Sequence, residues 1–461
     1  MIISVIGSGG KTTKIKQLKD QYLKEGKSVL MTTSTHMKIE EKTLVDPSYE
    51  EIINEIKKHG YVHAGGKAKN QKIKALDDEV LERLKKEIDV ILIEADGSHG
   101  LPLKYPRNNE PVVDKDSNEI ILITSLKGLG KPVQDVVHGY QEMKIDGNQK
   151  VDSLFIQQLI NIYLEKIKKY NVPIKIQVNG ARSLYEKALA SLLENQKEVT
   201  LINEEWFLPQ PKLVILGAGH VSQYVSKLAS MLDFYTIVID ERKEFACKEL
   251  FPEANEIHCV SFDKADSYFP KEANTCYVIV TRGHKDDRLC LKKTLFRQSL
   301  YVGMIGSKKK VRQTYDALLE EGYQQVELDK VHAPIGLSIK AITPAEIAVS
   351  IMSEIIAIKN EHQYSSMTSD LLEVQGDGVL CIIIDKKGST PRTVGSMMFI
   401  NEKGIIGSIG GGREEYQAIL DAKNCHEVMM KHYELNNSES ANLGMICGGS
   451  NDVLFLPIKQ H

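Results

Sequence analysis

The stretch IISVIGSGGKTT, residues 2–13, decides the fold of the first part of the chain. Residues 2–6 form a largely apolar run that predicts a buried strand, and the glycines after it predict a tight turn into a helix. Backbone N–H groups and the positive end of a helix dipole meet at such a turn, which is where phosphates bind. The common phosphate-loop pattern has a glycine six residues before the lysine, where this chain has Val5. A shorter form, with Gly7 four residues before Lys11, does fit.

This first glycine turn predicts a site for a nucleoside triphosphate, ATP or GTP, together with Mg²⁺. We expect Lys11 to reach the β- and γ-phosphates and the Thr12 hydroxyl to bind the metal ion. The alternative interpretation is an ordinary glycine turn that begins a helix, with a lysine on the surface. The other residues expected to contact the phosphates are Gly7, Gly9, Gly10 and Thr13.

A second apolar run ends in two carboxylates that support the phosphate prediction. Glu94 and Asp96 are two residues apart, so in a strand they point to the same side. At the carboxyl end of a sheet strand they are predicted to hold Mg²⁺ beside the phosphates, together with Thr12. The alternative is a pair of solvated acids at the end of a strand.

Strand-like runs alternate with helical stretches throughout residues 1–208. This alternation predicts a P-loop-like domain with a parallel sheet covered by helices on both faces. Residues 152–170 are predicted to be helical, and residues 32–36 are expected to face the same crevice as the glycine turn. The runs predicted as strands are Ile2–Ile6, Ser28–Thr32, Val90–Glu94, Ile120–Thr124 and Ile174–Val178.

A second glycine turn lies in a further predicted unit, the Rossmann-like residues 209–361. It follows the apolar run Leu213–Leu216 and lacks the lysine and hydroxyls of the first turn. The pattern is a reduced dinucleotide fingerprint in which Ser222 replaces the third glycine. Asp240 ends the next predicted strand, where an acid that binds a ribose belongs, and the neighbouring Arg242 also allows a phosphate-bearing ribose. NAD(P) is therefore one candidate ligand of Gly217, Gly219, His220 and Asp240.

Two more strand ends in this unit carry candidate side chains. His284 follows a predicted strand near residues 276–281 and is a candidate acid or base, with a helix cap as the alternative. Gly306 and Ser307 begin another helix and are predicted to contact an anion. For the adjacent Lys309 and Lys310, a solvated basic run is the favoured interpretation.

The remainder of the chain predicts a linker, residues 362–371, and a small α+β domain, residues 372–461. Short apolar runs separated by glycine-rich turns predict its strands, and residues 413–432 predict its one helix. Consecutive glycines allow backbone N–H groups to approach an anion, which makes Gly410, Gly411 and Gly412 candidate ligand contacts.

Arg392 and Cys447 in the last domain are further candidates. The planar guanidinium of Arg392 suits a phosphate or a pterin oxygen. Cys447 is followed by Gly448 and Gly449, so a ligand meets little steric shielding there. Its thiolate is a candidate contact for such a ligand. The alternative is a small buried cysteine beside a turn.

Composition excludes several classes of protein. The net charge is −3 and no basic block dominates, which argues against nucleic acid as a partner. Apolar runs are far too short for stable membrane insertion. The seven cysteines include no CxxC pair, which argues against a disulfide framework or a structural zinc site and indicates a reducing cytoplasm. The first residues predict a strand and not a signal peptide.

The first 205 residues resemble the YqeC family of selenium-dependent hydroxylase accessory proteins. The resemblance lies in three stretches, GSGGKTT, VLMTTSTHM and ILIEADGSHGLPLKYPRNNEPVV. The residues that match the family pattern in the last stretch are Glu94, Asp96, Lys104, Pro106, Glu110 and Pro111. The reaction of this family is poorly defined, so the resemblance says more about the pathway in which the protein acts than about the reaction.

Residues 209–360 resemble the Rossmann half of the XdhC/CoxI family, accessory factors of molybdenum hydroxylases such as xanthine dehydrogenase. Four stretches carry this resemblance, LVILGAGHVSQYVSKLA, TRGHKDD, YVGMIGSKKK and HAPIGLSIKAITPAEIAVSIMSEI. Around Arg392, Gly407–Gly412 and Met445–Gly449 the chain resembles the CoxI-type module of the same family. That module usually precedes the Rossmann module, and here the order is reversed.

The resemblances imply a maturation factor that binds the molybdenum cofactor, supports its sulfuration or selenation and passes it to an apo-hydroxylase. They make the Cys447 thiolate a candidate ligand for molybdenum or a carrier of sulfur or selenium. A cysteine desulfurase or a selenium donor protein is an implied partner, and a homodimer is compatible with the module order. Two alternatives stay open: a chaperone or scaffold without chemistry, and an NAD(P)-dependent oxidoreductase fused to a kinase-like domain. The sequence leaves open whether the chain is an enzyme.

Overall fold

Three separate larger sheets organise the chain. The computed structural model describes residues 1–69, 71–97, 100–361, 367–388, 390, 392–434 and 449–459. Each sheet has its own helices, so the predicted α/β class is confirmed: a parallel-sheet unit, a Rossmann-like unit and a small C-terminal unit. None of the helices in these ranges is long and apolar enough to cross a membrane.

The first unit has a nine-stranded sheet of order β11-β9-β1-β7-β2-β5-β6-β3, with β4 beside β5. Its strands, together with the small β8–β10 pair, are β1 Ile2–Gly7, β2 Val29–Thr33, β3 His36–Lys38, β4 Thr43–Val45, β5 Tyr61–Lys67, β6 Lys72–Lys74, β7 Val90–Glu94, β8 Leu103–Lys104, β9 Glu119–Ser125, β10 Val137–His138 and β11 Ile174–Asn179. Its helices are α1 Lys11–Lys24, α2 Tyr49–His59, α3 Asp78–Leu84, α4 Val133–Val136, α5 Ser153–Ile167 and α6 Leu184–Glu194.

The central position of β1 places the glycine turn between two other strand ends. β1 is parallel to β7 on one side and to β9 on the other, and all its residues are buried. Buried runs of this kind are typical of strands covered on both faces. At Gly7 φ is +88°, and a Cβ there would lie 2.0 Å from the Ile123 carbonyl oxygen of β9, so only glycine fits.

The second unit is an all-parallel sheet of order β14-β13-β12-β15-β16 with apolar clusters on both faces. Its strands are β12 Lys212–Leu216, β13 Tyr235–Asp240, β14 Glu256–Cys259, β15 Thr275–Ile279 and β16 Tyr301–Met304. Its helices are α7 His220–Met231, α8 His284–Thr294, α9 Lys308–Glu320, α10 Gln325–Leu328 and α11 Pro344–Glu361.

The third unit is an antiparallel sheet of order β19-β18-β17-β21-β20 with one long helix. Its elements are α12 Ser369–Leu372, β17 Gly378–Gly388, β18 Met397–Asn401, β19 Gly404–Gly407, α13 Gly412–Lys423, β20 Met429–Glu434 and β21 Gly449–Ile458.

The predicted helix over residues 413–432 is wrong in its last part. Helix α13 ends at Lys423, and residues 429–434 form strand β20 against β21. In this stretch half-buried and exposed residues alternate with the period of two that a strand requires. Pairing with β21 therefore overrides the helical pattern that continues from α13.

The third sheet packs on the first unit and shares its core. Leu380 and Leu454 belong to the same buried cluster as Trp206 and the apolar face of α6. Lys187 Nζ of α6 donates to the Val374 carbonyl at 2.7 Å. The two clusters of the Rossmann-like unit contain, among the described residues, no side chain from the other two units. The third unit is thus built onto the first, although the second separates them in sequence.

We predict that Gly395→Ala disturbs this interface. Trp206 is the chain's single tryptophan, and a Cβ on Gly395 would lie 2.8 Å from its Cγ. Overpacking and the φ of +85° should together lower the free energy of unfolding by about 2–4 kcal/mol. Urea unfolding followed by tryptophan fluorescence measures the loss, and acrylamide quenching of Trp206 should increase.

Gly376→Ala is the matched control for this prediction. Its φ is +89° and a Cβ there meets nothing within 4 Å, so the cost should be the backbone strain alone, about 1 kcal/mol. Equal losses in the two variants would contradict a close contact between Gly395 and Trp206.

Candidate functional site

The first glycine turn presents an uncapped helix N-terminus. Helix α1 begins at Lys11, and its N-cap Gly10, with φ of 145°, provides no side-chain hydrogen bond. The helical ladder starts with Lys14 N donating to the Gly10 carbonyl at 3.0 Å. The N–H groups of Lys11, Thr12 and Thr13 therefore precede the ladder and point to where an anion would lie.

Neighbouring strand ends enclose the turn closely. A Cβ on Gly9 would lie 2.5 Å from Ser125 Cβ, and one on Gly10 would lie 2.3 Å from Asn179 Nδ2. Asn179 Nδ2 also donates to the Gly9 carbonyl at 3.1 Å. The turn thus has room for backbone only, which brings its N–H groups close to a ligand.

Asp96 holds the turn from behind. Its Oδ2 accepts hydrogen bonds from Gly7 N at 3.1 Å and from the Tyr163 hydroxyl at 2.8 Å. Lys11 Nζ lies 3.3 Å from Oδ1, and Lys104 Nζ lies 3.7 Å from Oδ2. The carboxylate is fully buried: Oδ2 accepts hydrogen bonds, whereas Oδ1 has the Lys11 ammonium as its ion-pair partner and accepts no hydrogen bond from the described residues.

Glu94 is placed differently from Asp96, although both were predicted to hold Mg²⁺. Glu94 lines the cavity in front of the turn, and its Oε2 accepts the Thr12 hydroxyl at 3.3 Å. Asp96 is not among the residues that line this cavity. The geometry therefore supports Thr12 and Glu94 as cation contacts, and it argues against direct coordination by Asp96.

Burial makes the charge on Glu94 unfavourable. Desolvation raises the pKa of the Glu94 carboxyl and the nearby Asp96 raises it further, while Lys11 lowers it. A bound cation would relieve this penalty. The described residues contain no group of three or more His, Cys, Asp or Glu that could hold a metal ion, so a cation here would depend on ligand or water oxygens as well.

Two residues behind the turn escaped the sequence-based prediction of the site. Tyr163 lies within the predicted helix over residues 152–170, and Lys104 matches a family pattern, but neither residue is a predicted site residue. The Lys104 ammonium is buried and lies 2.8 Å from Glu110 Oε2. Burial alone would raise the pKa of Glu110, but the hydrogen bond and charge of Lys104 outweigh it and lower that pKa.

Lys11 is directed toward its own turn. Its Nζ donates to the Gly7 carbonyl at 2.6 Å and is buried between Asp96 and Glu94. To reach a β- or γ-phosphate, the ammonium has to leave the Gly7 carbonyl. The side chain has the length for this movement because its flexible four-carbon stem separates Nζ from Cα.

The turn opens into a cavity of about 1830 Å³ along the carboxyl ends of the strands of the first sheet. Its walls include Thr35, Ser125 and Asn179, and residues Pro457 and Lys459 of the third unit also line it. Parallel sheets bind ligands at this edge, where the strand order reverses.

The second glycine turn is held by Asp240 in a comparable way. Gly217 has φ of +106°, and the buried Ser222 donates its hydroxyl to the Gly217 carbonyl at 2.6 Å. Asp240 Oδ2 accepts Ala218 N at 2.7 Å and an Arg242 guanidinium N–H at 2.9 Å. Its Oδ1 accepts Arg242 N and Nε, both at 2.9 Å. These bonds outweigh burial and lower the pKa of Asp240.

Asp240 therefore has its acceptor positions filled and is poorly placed to bind a ribose. Gly219 caps α7 without a side-chain hydrogen bond, and His220, the first residue of α7, is exposed. This helix N-terminus can meet an anion, but the arrangement of Asp240 weighs against NAD(P).

The remaining candidates of the second unit lie at two helix starts. His284 is the exposed first residue of α8. Ser307 caps α9 by accepting Lys310 N at 3.2 Å, and Gly306 precedes it. The Lys310 ammonium pairs with the buried Asp287, so its charge is neutralised within the protein. The predicted ligand roles of Gly306, Ser307 and His284 stay predictions.

The third glycine cluster is satisfied within the chain. Glu415 accepts Ile409 N and Gly411 N, each at 3.1 Å, and Gly410 N donates to Ser408 Oγ at 3.1 Å. These backbone donors would not be available to an anion unless Glu415 moved. The predicted contacts at Gly410, Gly411 and Gly412 stay predictions, and this geometry weighs against Gly410 and Gly411.

Two other candidates of the third unit, Arg392 and Gly449, are among the described residues. Arg392 is exposed, and Gly449 begins β21 opposite Gly388 of β17. Cys447 and Gly448 lie outside the described residues. The far end of β21 leads to Lys459 in the large cavity, about 30 Å away for a ten-residue strand. Gly449 therefore lies at the opposite end of β21 from the cavity in front of the first glycine turn.

Three family models match successive parts of the chain. The YqeC protein model matches residues 3–141, the XdhC Rossmann domain model residues 213–355, and the XdhC and CoxI family model residues 371–433. The predicted resemblances are therefore confirmed, and the Rossmann part precedes the CoxI part.

Curated relatives match parts of the chain. The uncharacterized protein YqeB of Escherichia coli is 34% identical over 33% of this chain and 28% of its own length. The uncharacterized protein YqeC of Escherichia coli is 34% identical over 31% of this chain and 58% of its own. A probable xanthine dehydrogenase component of Bacillus subtilis is 30% identical over 32% of this chain and 43% of its own. The chain thus spans between 28% and 58% of these relatives.

We predict that Asp96→Asn strongly destabilises the first unit. The change leaves the buried ammonium groups of Lys11 and Lys104 without the carboxylate between them, which should cost about 3–5 kcal/mol. Denaturant unfolding monitored by circular dichroism measures the loss. Asp116→Asn is the control, because this exposed carboxylate pairs with Lys85 at the surface and should matter far less. Similar losses of unfolding free energy in both variants would show that Asp96 does not hold the glycine turn in place.

Proposed function

We propose that this chain is an accessory factor for a molybdenum hydroxylase, with a nucleoside triphosphate bound in its first unit. The observation that carries the nucleotide part is the uncapped N-terminus of α1 at Lys11, with its turn fixed by Asp96. The accessory role rests on the XdhC and CoxI family matches and on the similarity to the Bacillus subtilis relative.

The residues around the first turn fit a triphosphate with Mg²⁺. The N–H groups of residues 11–13 would bind phosphate oxygens, and the Lys11 ammonium would move from the Gly7 carbonyl to the β- and γ-phosphates. Thr12 and Glu94 would contact the cation. The nucleotide is ATP or GTP in this proposal, and its hydrolysis would drive cofactor handling.

In this proposal the second and third units bind the molybdenum cofactor. It supplies a molybdenum dithiolene centre to the hydroxylase that receives it. The uncapped start of α7 and the exposed His220 fit an anionic cofactor group. The second and third units share no hydrophobic core among the described residues, and a homodimer stays part of the proposal.

The partners in this proposal are an apo-hydroxylase and a sulfur or selenium donor such as a cysteine desulfurase. The selenium-dependent branch is proposed on the resemblance to the YqeC family, whose model matches residues 3–141. A reducing cytoplasm is the proposed compartment. The filled acceptor positions of Asp240 weigh against an NAD(P)-dependent oxidoreductase.

We predict that Lys11→Ala weakens nucleotide binding at least tenfold, equivalent to about 1.4 kcal/mol, because the phosphates lose a charged partner. Calorimetric titration with ATP and with GTP in the presence of Mg²⁺ measures the affinity.

Glu94→Gln should reduce the gain in affinity that Mg²⁺ provides and leave metal-free binding largely intact.

Lys24→Ala is the control for Lys11, since Lys24 lies exposed in the last turn of α1. Its affinity should equal that of the unaltered protein. Tight nucleotide binding that persists in Lys11→Ala would refute the phosphate site at this turn, provided that circular dichroism shows both variants folded.

We predict that Cys447→Ala reduces retention of the molybdenum cofactor or activation of the apo-hydroxylase at least tenfold, because a thiolate ligand or chalcogen carrier is lost. Cofactor content by mass spectrometry and activation assays measure the two effects. Cys259→Ala, at the exposed end of β14, is the matched control and should change neither. Unchanged retention and activation in Cys447→Ala would exclude a role for this thiol.

A further inference from the structure

The cavity in front of the first glycine turn is larger than one ligand requires. Its volume is about 1830 Å³, whereas small-molecule sites usually measure about 300–1,000 Å³. Eleven Lys or Arg residues line it against five Asp or Glu residues. A triphosphate at the turn would therefore leave a large cationic space unused.

Part of this space is bounded by a short antiparallel ribbon, β3 and β6. In its register His36 pairs with Lys74, Met37 with Ile73, and Lys38 with Lys72. Met37 and Ile73 are 5% and 0% exposed, so they form the inner face. The outer-face residues, which we call the lysine ribbon, are His36, Lys38, Lys72 and Lys74, and all four line the cavity.

The lysine ribbon places two like charges, Lys38 and Lys72, directly opposite each other. Cross-strand partners have Cβ atoms about 4.5–5.5 Å apart, and like charges in such pairs are destabilising. Among the residues that the structure describes, no carboxylate oxygen within 4.0 Å accompanies Lys38, Lys72 or Lys74. The nearby Glu40 is paired instead with Lys16 at 2.7 Å. The ribbon is therefore a cationic surface that an anion would stabilise.

We propose that the lysine ribbon binds the phosphate groups of a second ligand, a small molecule that carries a phosphate or pyrophosphate. That this ligand shares the cavity with a triphosphate rests on the proposed function of the first turn. Compact ammonium groups suit phosphate oxygens as point charges. A nucleic acid is a poorer fit, because the whole chain carries a net charge of −3 and would not attract an extended polyanion.

Inorganic pyrophosphate is the probe that tests this site. The full-length protein is first saturated with a non-hydrolysable ATP analogue and excess Mg²⁺, and pyrophosphate is then titrated by calorimetry. We expect one further binding event that weakens with added NaCl. In the triple variant Lys38→Gln, Lys72→Gln, Lys74→Gln its affinity should fall at least tenfold, with analogue binding unchanged. Absence of the second event, or equal affinity in the triple variant, would overturn the proposal.

Two controls make the result specific. Lys67→Gln removes an exposed lysine of neighbouring β5 that does not line the cavity, and it should leave pyrophosphate binding unchanged. The triple variant should be at least as stable as the unaltered protein without ligand, because the repulsion within the ribbon is removed. If the analogue itself fails to bind, the proposed function of the turn fails. Pyrophosphate binding in a Lys11→Ala background then still tests the ribbon alone.

Discussion

The buried carboxylate of Asp96 is the constraint on which the first unit depends. A charge without access to water needs partners, and Asp96 finds them in Gly7 N, the Tyr163 hydroxyl and the ammonium groups of Lys11 and Lys104. These contacts connect the glycine turn to α5 and to the segment that follows β7. They fix the turn while leaving the N–H groups at the start of α1 directed at the cavity.

The third unit packs on the first unit, although the Rossmann-like unit lies between them in sequence. Its sheet shares a core with the first unit and not with the Rossmann-like unit that precedes it in sequence. Strand β21 extends from Gly449 to the edge of the large cavity, where Pro457 and Lys459 form part of the wall. A ligand that extended from the glycine turn to this wall would contact both units.

Local patterns predicted most of the architecture, and long-range contacts explain the rest. An apolar run followed by glycines predicted β1 and α1, since both signals are local. The two carboxylates at the end of β7 look alike in sequence, yet Glu94 lines the cavity and Asp96 does not. Tyr163 is one of the buried residues of α5, most of which are apolar. The end of α13 depends on the pairing of β20 with β21, and the docking of the third unit depends on a core shared with the first, neither of which a local pattern records.

A crystal structure of the chain with a non-hydrolysable ATP analogue and Mg²⁺ would show whether the first turn binds a nucleoside triphosphate. We expect phosphate oxygens on the N–H groups of residues 11–13, Lys11 Nζ released from the Gly7 carbonyl, and the cation on Thr12 and Glu94 with Asp96 unmoved. A nucleotide bound elsewhere, or a cation coordinated by Asp96, would contradict this expectation.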